Sequence, residues 1–101
     1  MPDLDLLPKL KRRAKTARPP LWKVILLNDD FTPRDFVVKV LQRVFRMTEG
    51  EAEAVMITAH QQGACVVAVY TKEVAETKAQ LATEAGEMRG YPLTFTTEKE
   101  T

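Results

Sequence analysis

The stretch LNDDFTPRDF, residues 27–36, sets an amide and two adjacent carboxylates, Asn28, Asp29 and Asp30, where an apolar run stops and a helix begins. Two chemistries are open to them. Acids at a helix start complement the positive end of its dipole, worth about 0.3–1 kcal/mol each. Thr32 already offers a capping hydroxyl, however, and two further acids exceed what a helix start needs. The other chemistry is a cation held by these oxygens. The residues alone leave both readings standing.

His60 is the only histidine, four residues beyond Met56 and therefore on the same helical face. Taken singly, it reads as an imidazole at the edge of a core, bonded to nearby backbone. One His, one Cys (Cys65) and two Asp at unrelated spacings do not make a metal site. A Cys–His nucleophile is disfavoured because Cys65 falls inside an apolar strand. A metal- or acid-dependent hydrolase, the latter built on Asp30 and His60, stays as the enzyme alternative, without a nucleophile motif behind it. Farther along, TKEVAETKAQLATEA carries Glu73, Glu76 and Lys78 at a helix start, which reads as a solvated charged face. Val37, Met56, Ala59 and Leu93 read as core, and become a pocket only where helices splay over the end of the first strand.

The elements that must position these groups follow from periodicity. LWKVILLN (21–28) predicts a strand with little alternation, covered on both faces. Thr32, Pro33 and Asp35 then stand as N-cap, first and third residues of a helix running to about Arg46. Thr48 and Glu51 form a second capping box, and Gly63 stops the helix that they open. ACVVAVY (64–70) predicts a second strand, central because it does not alternate. Thr71 caps a third helix with Val74, Lys78, Leu81, Ala85 and Met88 in line, its end loosened by Gly86 and Gly90. YPLTFTT (91–97) predicts the last strand. The expected architecture is an α/β (α+β) sandwich of order βααβαβ, a three-stranded, mostly antiparallel sheet under three helices.

Composition narrows the class. With 101 residues, one domain is expected, and 45% apolar and 29% charged residues are ordinary for a globular chain. A single cysteine rules out a disulfide framework and points to the cytoplasm. No apolar run has the length of a membrane span or a signal peptide. The net charge of +1 conceals an uneven distribution. Residues 1–18 hold six basic and two acidic side chains, against nine and twelve in the remainder. Pro19-Pro20 separates this basic extension, read as a disordered arm, from a core domain spanning 19–101. Because no aromatic residue interleaves with its bases and the core is acidic, nucleic acid is not an expected partner.

Taken together, WKVILLNDDFTPRDFVVKVLQ, MITAHQQG, YTKEVAETK and the ending YPLTFTTEKE resemble the ClpS family over residues 20–100 or so. Members are adaptors that bind N-degrons and deliver them to the AAA+ protease ClpAP. The resemblance implies that Asn28, Asp29, Asp30 and His60 hold a substrate's free α-amino group. It also implies an apolar pocket for the first side chain, lined by Leu26, Leu27, Thr32, Val37, Met56, Ala59 and Leu93. Glu73, Glu76, Thr77 and Lys78 would face the N-terminal domain of a ClpA-type unfoldase, and neither cofactor nor metal is implied. Two positions depart from the family pattern: Arg34 stands where methionine is usual, and Ala59 where valine is usual. A generic docking module like the C-terminal domain of the ribosomal stalk protein is the alternative, and it leaves Asn28–Asp30 and His60 without a task.

Overall fold

The computed structural model describes residues 19–101, and the basic extension 1–18 lies outside the described residues. Leu21–Leu27 forms β1, Arg34–Phe45 α1, Glu49–Gln62 α2, Ala64–Thr71 β2, Lys72–Glu87 α3 and Phe95–Lys99 β3. The order is the expected βααβαβ. The sheet runs β2-β1-β3 with both pairings antiparallel, so β1 is the central strand and β2 an edge. The expectation of a central β2 fails for a physical reason. A register shift opposite Val24 and Ile25 leaves Val67 without a β1 partner. Such a bulge breaks the alternation that would mark a one-sided strand.

Val24 and Leu26 turn into one core with Val37, Val40, Leu41 and Phe45 of α1 and with alanines of α2 and α3. Val24, Leu41 and Leu93 are its largest fully buried side chains. The opposite face of the sheet carries Ile25, half-buried, with Val66 and Val69 exposed, so helices cover one face among the described residues. That corrects the reading of β1 as covered on both sides. Apolar residues on both faces had concealed its alternation.

The third helix also differs from expectation. It buries Ala75, Ala79, Ala82 and Gly86, while Val74, Leu81 and Met88 are exposed. Small residues at this spacing let the helix backbone approach the sheet closely, and the large ones stay outside. Its Lys78 is half-buried and donates from Nζ to the carbonyl of Val44 at 2.8 Å, satisfying a last-turn carbonyl of α1. The final strand begins later than predicted. Residues 91–94 run outside the sheet, and pairing starts at Phe95 opposite Leu26.

Candidate functional site

Three elements meet at the Leu27 end of β1. The ladder with β2 closes at Leu27 opposite Ala64, and the next residue, Asn28, donates its backbone N–H to the Gly63 carbonyl at 3.0 Å. Gly63 is the left-handed cap of α2, with φ of 89°, and its N–H returns to Ala59 at 2.8 Å. That conformation suits glycine. The link brings the turn after β1 against the last turn of α2, which carries His60.

Within the turn, the two acids have different tasks. The Asp29 carboxylate accepts from Phe31 N–H at 2.9 Å and Thr32 N–H at 2.7 Å through Oδ1. Its Oδ2 accepts from the Thr32 hydroxyl at 2.9 Å. Asp29 is therefore the brace of the turn, an Asx-type closure that leaves Phe31 80% exposed at the tip. Thr32 is thereby removed from the capping role expected of it. Pro33 takes the N-cap position of α1, and no side chain caps the helix. Asp30 is exposed, and neither its carboxylate nor the Asn28 amide bonds to a described residue.

Beneath the turn lies a cavity of about 260 Å³. Leu26, Leu27, Val37, Met56, Ala59 and Leu93 supply apolar wall. Asn28, Asp29, Asp30, Thr32, Arg34 and His60 supply the polar lining. The structure thus gathers on one cavity every residue for which the family resemblance implied amine or side-chain binding. Leu26, Val37, Ala59 and Leu93 are buried, whereas Asn28, Asp30, Arg34 and His60 are exposed, so the polar groups ring the mouth and the apolar ones form the base. His60 is accordingly a rim residue, and the single-residue reading as a core-edge imidazole is corrected.

Two carboxylates against one guanidinium give the mouth a negative balance. Amide oxygen, carboxylate and imidazole nitrogen are acceptors that suit an ammonium, which only donates. The volume falls below the roughly 300–1,000 Å³ of pockets for whole small molecules, which matches one side chain with its attached head. Cys65, half-buried in β2, does not line this cavity, and burial pushes its thiol pKa up, away from an activated thiolate. Among the described residues, no three His, Cys, Asp or Glu side chains converge as a metal cluster, and no helix is long and apolar enough to cross a membrane.

The other predicted surface lies elsewhere. Thr71 pairs with Leu21, at the end of β1 opposite the cavity, and α3 starts directly after it. Glu73, Glu76 and Thr77 are exposed on its first turns, while Lys78 points inward to Val44. Sequence reasoning missed the residues that hold the cavity's far wall, Thr83 and Gly86 of α3. The available signal was the small-residue row 75, 79, 82 and 86, of which Gly86 alone enters the sequence reading, as a residue loosening the helix end.

Comparison with known proteins gives a consistent result. The family model of the ATP-dependent Clp protease adaptor protein ClpS matches residues 17–96. The chain is 59% identical to the ATP-dependent Clp protease adapter protein ClpS 2 of Mesorhizobium japonicum over 100 residues, 99% of each chain. With ClpS 1 of Rhodopseudomonas palustris it is 63% identical over 102 residues, again 99% of each. Among solved structures it resembles Agrobacterium tumefaciens ClpS2 bound to L-phenylalaninamide, with a TM-score of 0.81 and 57% identity, covering 82% of this chain and all of that one.

Proposed function

The chain belongs to the ClpS family of Clp protease adaptors, and on that premise we propose that it captures proteins whose first residue is large and hydrophobic. The observation that carries this reading is a cavity that joins an acceptor-rich mouth to an apolar base. Asn28, Asp30 and His60 hold the α-ammonium at the mouth. Asp29 fixes the turn that presents them and adds negative charge. The first side chain enters between Val37, Met56, Ala59 and Leu93. Charge-assisted hydrogen bonds contribute about 1.5–3 kcal/mol each, and burying a Leu or Phe side chain a similar amount. Selectivity for a free N-terminus plus a large hydrophobe arises because both halves must be filled together. Phenylalaninamide, the ligand of the Agrobacterium relative, presents both groups, an α-amine and a benzyl side chain.

Delivery is to the cytoplasmic protease ClpAP, through the exposed Glu73, Glu76 and Thr77 at the far end of β1, where Lys78 ties the helix start to α1, with the extension 1–18 serving the transfer. Placing capture and delivery at opposite ends of one strand lets a loaded adaptor still meet the unfoldase. The protein acts as a binder, without turnover of its own. The test is a titration of a fluorescent Phe-first peptide against the same peptide acetylated at its N-terminus. Acetylation removes the charge and crowds the mouth, so binding should be abolished; equal titrations would overturn amine capture.

A further inference from the structure

The cavity's end wall, Leu93, belongs to the non-sheet segment 91–94, and α3 holds that segment from behind. The Tyr91 N–H donates to the Gly86 carbonyl at 2.9 Å. One helical turn earlier, the Thr83 hydroxyl accepts from the Phe95 N–H at 3.0 Å. Between these two clamps Leu93 is pressed against the helix at residue 86. A β-carbon placed on Gly86 would lie 2.8 Å from the Leu93 β-carbon, with two further Leu93 carbons at 3.5 and 3.6 Å. Gly86 itself is buried, in regular helix, with no positive φ that would call for glycine. Nothing in its backbone requires the missing side chain. The close approach of Leu93 does.

We propose that Gly86 is a specificity-determining positioning residue: by lacking a β-carbon it seats Leu93 against α3 and so sets the depth of the side-chain pocket. This inference rests on the reading of the cavity as the site for a first side chain. Ordinary carbon–carbon contacts lie at about 3.5–4.0 Å, so a methyl at 86 displaces the Leu93 backbone by roughly 0.7 Å or more. The contact falls on a β-carbon, which a change of rotamer cannot move. With both flanks of the segment tied to α3 and Leu93 2% exposed, the free volume that can take up the shift is the cavity. The pocket becomes shallower, and ligands that reach deepest are affected first. A phenyl or indole ring reaches farther than an isobutyl group.

The experiment titrates matched Phe-, Trp- and Leu-first peptides against the full chain and its Gly86→Ala variant, with circular dichroism reporting the folded fraction. Alanine is a better helix former than glycine, so the helix itself is not weakened. The expected result is a roughly ten-fold loss for Phe and Trp, the scale of one methylene misfit in an apolar pocket, and a smaller loss for Leu. An unchanged Phe-to-Leu ratio overturns the proposal. Failure of the parent chain to bind any of these peptides would instead overturn the function on which it rests. Should Gly86→Ala not fold, Leu93→Ala carries the test with glycine retained. Withdrawing the wall must move preference toward Trp and away from Leu, and an unmoved order overturns the proposal.

Discussion

Two helix starts in this chain share a threonine with an acid three residues later and do opposite things. Thr48-Glu49-Gly50-Glu51 opens α2 with both capping bonds made, the Thr48 hydroxyl accepting from Glu51 N–H at 3.1 Å and the Glu51 carboxylate accepting from Thr48 N–H at 3.0 Å. Thr32-Pro33-Arg34-Asp35 opens α1 with neither. There the threonine hydroxyl points back to Asp29, and α1 starts uncapped by any side chain. The first turn is closed on itself and complete. The second gives up its cap, worth about 1 kcal/mol in an ordinary helix, to an arrangement that leaves Asn28 and Asp30 facing a cavity. Local self-consistency marks a structural turn, and a local rule left unfulfilled marks the turn that works on something else.

The comparison breaks most sharply through binding. Asp30→Ala and His60→Ala should each weaken a Phe-first peptide by about 1–3 kcal/mol. Both side chains are exposed, so the melting temperature should stay within the scatter of surface substitutions. Titration of each variant, paired with a thermal melt, checks both halves. Loss of stability in parallel with binding would place these groups in the fold, and the two turns would then differ only in detail.

The reciprocal variant is Thr48→Ala. It removes a side-chain cap and should lower unfolding free energy by about 1 kcal/mol, read by urea denaturation, while peptide affinity is unchanged. Thr48 does not line the cavity and starts the helix whose far end carries His60.

Which parts of this were legible beforehand depends on whether a signal was local. The capping box, the Gly63 stop and the element order rest on near-neighbour chemistry, and the structure reproduces them. Asp29 and Asp30 carried two open readings because adjacent acids look alike in sequence. The structure separates them, with Asp29 tied into the turn by three hydrogen bonds and Asp30 left open. The centre of the sheet was misassigned because a bulge at Val67 imitates a strand buried on both faces. In α3 the visible periodicity is that of Val74, Leu81 and Met88, whereas the close approach is made by alanines and Gly86. Small residues signal contact through what they lack, and hydrophobic periodicity weighs them least.

A smaller effect sharpens the working side of the comparison. Ala59, buried at 2% exposure, lines the cavity where related chains are expected to carry valine. Two absent methyl groups leave room for bulk, at about 0.8 kcal/mol for each one that a ligand would touch. Aromatic first residues should therefore bind tightest here, and Arg34 at the mouth can lay its stem and guanidinium along a ring. Ala59→Val should move the Leu-to-Phe affinity ratio toward Leu. A constant ratio would mean that the ligand does not reach residue 59.

The smallest expected effect belongs to the closed turn and concerns acid. The Glu51 carboxyl is held below its ordinary pKa, first by the backbone N–H of Thr48 and then by the Thr48 side chain. A carboxylate whose pKa is lower folded than unfolded adds stability that is fully present above the unfolded value. That contribution disappears as pH falls through the lowered folded value, where the native carboxylate takes up its proton. Glu51→Gln keeps an acceptor that can close the same box but has nothing to titrate. Melting temperatures followed from about pH 6 down to about pH 3, across the carboxylate range, should therefore fall slightly less steeply in Glu51→Gln than in the parent chain. Because the group is fully exposed, solvent and salt screen it and the difference will be slight. Asp35→Asn is the control, since it removes an acid from the first turn of α1, where no box is made. If Asp35→Asn and Glu51→Gln flatten the acid slope equally, the closed box has no special part in it, and the effect is the general one of a negative charge near a helix start.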